Sequence, residues 1–166
     1  MPNDPVYFKV WRFFKTQLAG MRVAEGYHLD YGAVMPGARV HGINDSDFDR
    51  PKIGLRWVGE VGRDPFHGGD MATHTQERFA RFEVTIPAKQ RTGPDDDTER
   101  AYRMLDDVHA AIMSGARTAD LDNSAIFENE PVWLDRDEFD QPIGGTLLIP
   151  YTVRFRHMTG DMSTVR

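Results

Sequence analysis

The residues best suited to metal chemistry lie in one glycine-rich segment of the chain. His67, Asp70 and His74 supply two imidazoles and a carboxylate, which are ordinary ligands for zinc and related ions. Metal-binding helices place their histidines at i and i+4, whereas these lie in a loop-like stretch with methionine and threonine between them. The pattern therefore favours a surface loop, and we predict no metal and no cofactor.

A second chemical possibility is the run of carboxylates between residues 128 and 140. These acidic residues are Glu128, Glu130, Asp135, Asp137, Glu138 and Asp140. Glycoside hydrolysis needs two carboxylates placed across a sugar, and no helical or strand spacing in this segment converges on a particular pair. We interpret the segment as a solvated acidic rim. A small hydrolase or carbohydrate-binding domain built on 128–140 remains an alternative.

Other catalytic signatures are missing from the sequence. It contains no Gly-x-Ser-x-Gly elbow, no phosphate-binding Gly-Lys-Ser/Thr loop and no Gly-x-Gly-x-x-Gly fingerprint. With no cysteine, the chain has no disulfide, thiolate metal site or cysteine nucleophile, which is typical of proteins that fold in a reducing cytoplasm. We predict that the protein is not an enzyme.

Composition narrows the class of protein further. The chain has 166 residues, of which 40% are hydrophobic, so residues 1–166 fit one globular domain with a sizeable core. Its formal net charge of −6 does not favour binding to nucleic-acid phosphates. No secretory signal and no apolar stretch long enough for a bilayer are visible, so we expect no membrane partner.

The first predicted element is a helix over Val6–Met21 that ends near Gly20. One apolar stripe recurs at helical spacing and comprises Tyr7, Trp11, Phe14, Leu18 and Met21. Phe8, Val10 and Phe13 lie off this stripe, so the helix is apolar around most of its circumference. Such a helix either lies deep in its own fold or offers a second face to a neighbour.

A second helix is predicted from the capping-box spacing of Asp96 and Glu99 to a stop at Gly115. Its apolar stripe consists of Ala101, Met104, Leu105, Val108 and Ile112. The polar residues expected to face water are Arg100, Arg103, Asp106 and Asp107.

Strands are predicted wherever short apolar runs or alternating residues occur. The predicted strands are Gly26–Val34, Ile53–Trp57, Ala80–Ile86, one or two edge strands within Ser124–Leu134, and Leu147–His157. Flexible loops are expected at 37–51 and 63–75, with a polar tail at 158–166. The predicted fold is α+β: a mixed, mostly antiparallel sheet of four to five strands with two main helices packed on one face.

The order of these elements and the residues within them resemble those of a known family. The segments that carry the resemblance are the amphipathic first helix, Glu25-Gly26-Tyr27-His28, Arg81-Phe82-Glu83-Val84-Thr85-Ile86, the helix Ala101–Ala111, and the strand Gly145–Phe155. Over most of its length the chain resembles the tail terminator, or tail completion, proteins of long-tailed bacteriophages.

The resemblance implies a structural virion protein located in the tail or neck and assembled in the cytoplasm of a bacterial host. It would form a hexameric ring that caps the tail tube, stops tube polymerisation and joins the tail to the head or neck. The implied partners are further copies of the chain, the tail tube protein and a head-to-tail connector or neck protein, with DNA only as passing cargo. An alternative within the same assembly is a connector or another tail or neck subunit.

On this interpretation, contacts with other subunits come from the first helix and the two predicted loops. The predicted interface residues are Tyr7, Phe8, Trp11 and Phe13 in the helix, Asp45, Asp47 and Phe48 in loop 37–51, and Phe66 and His67 in loop 63–75.

Overall fold

The computed structural model describes residues 6–42, 49–63, 75–88, 97–118, 121, 124–136, 140 and 142–158. Several predictions concern residues outside these ranges: the cap at Asp96, most of loop 63–75 and the tail after Met158.

The described elements run along the chain as helices, three strands, helices and three further strands. The helices are α1 (Val6–Ala19), α2 (Asp97–His109) and the short α3 (Gly115–Thr118), with a 3-10 turn at Val23–Glu25 and a π-helical segment at Ala110–Ser114. The strands are β1 (Val34–Pro36), β2 (Ile53–Arg63), β3 (Thr75–Pro87), β4 (Ala125–Glu128), β5 (Val132–Arg136) and β6 (Pro142–Met158).

The strands form one mixed sheet in the order β1-β2-β3-β6-β4, and β5 also pairs with β6. The β1–β2 pair is parallel, whereas the other described pairs are antiparallel. The predicted α+β class with a mostly antiparallel sheet is therefore confirmed. The sheet has six strands rather than four to five, and two of them, the short β4 and β5, lie along one side of β6.

The longest ladder joins β3 to β6 and forms the centre of the core. On the face covered by α1 and α2, Phe82 lies opposite Tyr151 and Val84 opposite Ile149, and all four side chains are buried. Phe14 of α1 packs between them, with its ring centre 5.2 Å from those of both Phe82 and Tyr151. The alternating apolar residues that predicted these strands form this buried face.

The predicted strand Gly26–Val34 is wrong, since only Val34 of that run lies in a strand. The backbone N–H groups of His28 and Leu29 both donate to the carboxylate of Asp107. Successive N–H groups of a strand point to opposite sides, so a backbone that directs two of them at one side chain cannot pair as a strand. The carboxylate of Asp107, which is distant in sequence, therefore holds this segment in a conformation other than the predicted strand.

The predicted stop at Gly115 is also wrong, because Gly115 has right-handed helical angles and the helical path continues to Thr118. A β-carbon placed on Gly115 would lie 2.6 Å from the side chain of Gln17 in α1. Glycine at this position therefore serves close packing between helices rather than helix termination.

The second face of the sheet is covered where β2 and β3 meet. Arg39 approaches from the segment after β1, and its Nη2 lies 2.9 Å from Oε2 of the buried Glu83. The backbone N–H of Val40 donates to Oγ1 of Thr85 over 3.0 Å. The start of the predicted loop 37–51 is thus packed on the sheet, and its residues 43–48 lie outside the described ranges.

Strand β6 was predicted to be buried on one face, and this holds from Leu147 to Phe155 for the helix side. Near its start, however, Thr146 and Leu148 on the opposite side are buried as well. The first half of β6 is therefore a strand with two covered faces, as expected for the centre of a sheet.

Candidate interaction surfaces

An exposed aromatic patch lies where the start of α1 meets β2. We define this α1–β2 patch by Tyr7, Phe8, Trp11 and Trp57, which line one groove above the buried Phe82. Phe8 is 43% and Trp57 50% exposed. Phe8 stacks on Trp11 with an angle of 9° between the ring planes, and Tyr7 lies 5.5 Å from Trp57 between ring centres.

The patch is held in place by contacts to the core. Tyr7 packs edge-on against the buried Phe155, and its hydroxyl donates to the carboxylate of Glu60. The rings therefore form a fixed surface in which one side is supported and the other is open.

A second aromatic patch lies between α2 and β5. We define this α2–β5 patch by Tyr102, Leu105, Pro131 and Trp133, which line a groove together with the buried Leu147. Tyr102 is 68% exposed and Trp133 39% exposed. Trp133 lies opposite Leu147 in the β5–β6 ladder, so its ring extends the helix-covered face of the sheet beyond the cover of α2.

The two patches occupy opposite margins of the same helix-covered face. β2 and β5 are separated by β3 and β6, which places them roughly 14 Å apart across the sheet. The two patches are therefore separated across the sheet, and they contain different residues.

The structure places the predicted interface residues unevenly. Phe8 is exposed, and Tyr7 and Trp11 are half-buried. Phe13 is only 8% exposed and belongs to the core, together with the off-stripe Val10. The loop positions Asp45, Asp47, Phe48, Phe66 and His67 lie outside the described residues.

A buried carboxylate organises the segment between the 3-10 turn and β1. Asp107, predicted to face water, is 2% exposed. It accepts hydrogen bonds from the backbone N–H of His28 over 2.8 Å, from that of Leu29 over 3.2 Å and from the hydroxyl of Tyr31 over 2.8 Å. His28 Nδ1 also lies 2.8 Å from the carboxylate.

The other polar residues of α2 behave differently from one another. Arg100, also predicted to face water, is buried, whereas Asp106 is exposed as expected.

Burial, with the nearby charge of Asp107, raises the pKa of Tyr31 far above its usual value. Since every named partner of Asp107 comes from residues 28–31, we interpret this cluster as a structural clasp.

A second polar cluster lies at the end of α2. Glu128 of β4 accepts a hydrogen bond from the hydroxyl of Tyr151 over 3.1 Å, and its Oε2 lies 2.9 Å from Nδ1 of His109. Burial and the nearby Glu128 raise the pKa of Tyr151 far above its usual value. The tyrosine therefore stays a neutral donor to Glu128.

Two of the carboxylates named for the hydrolase alternative, Glu128 and Asp135, lie far apart along β6. Glu128 lies opposite Tyr151, whereas Leu134, next to Asp135, lies opposite Thr146. These positions are roughly 17 Å apart along the strand. Paired glycosidase carboxylates lie about 5–9.5 Å apart. Asp135 instead accepts a hydrogen bond from the indole N–H of Trp133 over 2.8 Å.

The described residues contain neither a cluster of side chains suited to a metal ion nor a helix suited to crossing a bilayer. No group of three His, Asp or Glu side chains there is arranged to hold a metal ion. The candidate ligands His67, Asp70 and His74 lie outside the described ranges. None of the described helices is long and apolar enough to cross a bilayer.

The sequence pattern missed Trp57, Tyr102 and Trp133 as surface residues. Trp57 shares one side of its predicted strand with Leu55, and the ladder places it opposite the buried Phe82. It is nevertheless half exposed, although Tyr7 of α1 lies 5.5 Å from it between ring centres. Alternation identifies the face on which a side chain lies, whereas cover depends on the neighbouring layer.

Comparison with protein-family models finds none that matches this chain, and comparison with curated proteins finds no match either. The function proposed next therefore rests on the sequence pattern and on the surfaces described above.

Proposed function

We propose that the protein is a structural component of a bacteriophage tail, a tail terminator that forms a ring on the end of the tail tube. The ring stops tube polymerisation and presents a surface to the head or neck. The observation that carries the proposal is the pair of distinct exposed aromatic patches on opposite margins of one rigid face.

A closed ring needs a heterologous interface, in which one patch of each subunit contacts a different patch of the next. Monomeric proteins rarely expose large contiguous apolar surfaces, and those that are exposed often mark contacts with other proteins. Tyr, Trp and Phe are the residues enriched at the centres of such contacts. Two dissimilar aromatic patches separated by the width of the sheet supply this arrangement.

The charge of the chain agrees with a ring through which DNA passes. A net charge of −6 disfavours adhesion of the phosphate backbone, so the cargo is not retained by the protein. The resemblance in element order to tail terminators supplies the identity of the tube and neck as partners.

Native mass spectrometry and electron microscopy test the proposal. The purified protein, alone and mixed with tail tubes of long-tailed phages, is expected to form closed rings, and tubes that carry a ring are expected to stop growing. A variant with Phe8→Ser and Trp57→Ser should lose the ring. Val23→Ser, which changes an exposed apolar residue outside both patches, should keep it.

The same experiment separates the alternatives. Tubes that lengthen in the presence of the protein would identify a tube-like subunit, and rings that bind only isolated necks would identify a connector. A protein that stays monomeric at high concentration and forms no ring on tubes would contradict the proposal.

A further inference from the structure

The charges around the two aromatic patches have opposite signs. Helix α1 carries three basic residues, Lys9, Arg12 and Lys15, and no acidic one. The guanidinium carbon of Arg12 lies 4.6 Å from the ring centre of Phe8, and Nζ of Lys15 lies 5.3 Å from that of Trp11. These cation–π contacts hold two positive charges against the rings of the α1–β2 patch.

The α2–β5 patch has an acidic border. In segment 128–140 the described carboxylates beside Trp133 are Glu130 and Asp135, and the single basic residue is Arg136. Asp135 accepts a hydrogen bond from the indole N–H of Trp133. Glu130 lines the adjoining groove on the other face of the sheet, together with Arg81, Thr152 and Trp133, and both carboxylates are exposed. Arg136 is engaged locally, since its Nη1 lies 3.2 Å from Oδ1 of Asp140.

The basic residue of α2 next to Tyr102 also has an acidic partner. Arg103, one residue from Tyr102, lies 2.6 Å from Oε1 of Glu99 on the same helix. Exposed carboxylates, Glu130 and Asp135, therefore lie beside the α2–β5 patch. The rings of the α1–β2 patch carry the cations Arg12 and Lys15, and the carboxylate described there, Glu60, accepts from the hydroxyl of Tyr7.

We propose that the α1–β2 patch of one copy docks on the α2–β5 patch of a second copy, with Arg12 and Lys15 facing Glu130 and Asp135. This inference rests on the proposed ring and assigns its subunit contact. An apolar centre with a charged border is the usual anatomy of a specific interface.

The charge pattern also selects the pairing mode. Two α1–β2 patches repel each other, as do two α2–β5 patches, because like charges placed together at an interface are costly. The pattern therefore disfavours a symmetric dimer and favours head-to-tail contacts, which generate rings when the rotation closes.

A charge-swap experiment tests the pairing. One variant carries Arg12→Glu with Lys15→Glu, and the other carries Glu130→Lys with Asp135→Lys; all four positions are exposed. Each variant alone brings like charges together and is expected to weaken self-association by at least about tenfold. Sedimentation velocity and native mass spectrometry measure association, and circular dichroism checks folding.

Restoration is the decisive result. An equimolar mixture of the two variants presents opposite charges at every junction, so assemblies of alternating subunits are expected to return. A single chain with all four substitutions is expected to assemble by itself. Because Asp135 accepts a bond from Trp133, Glu130→Lys alone provides a second acidic-side variant if the double change unfolds the chain.

Matched controls reverse charges elsewhere. Glu25→Lys with Asp49→Lys changes two exposed acidic residues outside both patches, and Arg50→Glu with Arg154→Glu does the same for two exposed basic residues. Both controls should assemble as the unmodified protein does.

Three outcomes overturn the pairing. Rings that persist in both swapped variants leave the proposed function standing and place the contact elsewhere. Folded variants that lose assembly and remain separate when mixed also refute this pairing. An unmodified protein that never self-associates, with or without tubes, removes the proposed function together with the interface.

Discussion

Compared with the carboxylate of Asp107, those of Glu130 and Asp135 lie in the opposite environment. Asp107 is buried in α2 and is satisfied by donors from residues 28–31. Glu130 and Asp135 are exposed beside an aromatic patch at the margin of the sheet. The difference shows that acidic residues here serve two purposes: one holds the chain together, and the others set the charge of an outer surface.

The largest expected effect comes from breaking the buried side of this comparison. Asp107→Ala leaves the N–H groups of His28 and Leu29 and the hydroxyl of Tyr31 without their acceptor. We expect a loss of about 3–5 kcal/mol in the free energy of unfolding, because donors remain unpaired in the interior. Urea denaturation measures it, with Asp106→Ala as the exposed control. A near-neutral Asp107→Ala would contradict the clasp.

Shortening a buried apolar side chain gives a loss of unfolding free energy with which that of Asp107→Ala can be compared. Val153 is fully buried in β6, so Val153→Ala should cost about 2–4 kcal/mol through lost transfer energy and a residual cavity. Leu105 was assigned to the core as well, but it is only partly buried and lines the α2–β5 groove. Leu105→Ala should therefore cost less than Val153→Ala, and equal losses would place both in one closed core.

Alkaline pH sharpens the comparison through Tyr31. Its pKa is raised in the folded state, so folding favours the neutral phenol. The stability is fully present below the usual pKa of 10.0 and falls as pH rises above it, because only the unfolded chain ionises there. The expected slope is about 1.4 kcal/mol per pH unit for this residue.

Urea denaturation at several pH values between 9 and 11.5, performed on the unmodified chain and on Tyr31→Phe, measures that slope. The phenylalanine variant should lose less stability over this interval. Parallel curves for the two proteins would show that Tyr31 ionises equally in both states.

The smallest expected effect on folding is at the exposed carboxylates. Glu130→Gln with Asp135→Asn should change the free energy of unfolding by about 0.5 kcal/mol or less, as is usual for surface positions. The same variant should weaken self-association, though less than charge reversal does. A large loss of stability would show that these residues belong to the fold rather than to its outer surface.

Predictions from local periodicity succeeded where one element faces one layer. The alternation of Ala80, Phe82 and Val84 and the stripe of Met104, Val108 and Ile112 correspond to buried faces in the structure. Predictions failed where a distant residue decides the conformation. The segment after Gly26 is held by hydrogen bonds to Asp107 instead of pairing with a neighbouring strand.

The candidate surfaces were predicted in part. The surplus of apolar residues in α1 pointed to a contact surface, and Phe8 is indeed exposed, but Val10 and Phe13 are taken up by the core. Trp57 and Trp133 have strand patterns that assign them to the covered face. Their exposure depends on how far each helix extends over the sheet, which no local spacing encodes.

The amino-acid sequence by itself determined the α+β class, the central strands, the apolar stripes of both helices and the acidic character of residues 128–140. These properties depend on spacing and composition within short segments. Only the tertiary structure decided which charges are buried, which aromatic residues remain uncovered and that the two patches lie at opposite margins. Burial depends on the layer that another part of the chain supplies, and that layer exists only once the sheet and helices have packed together.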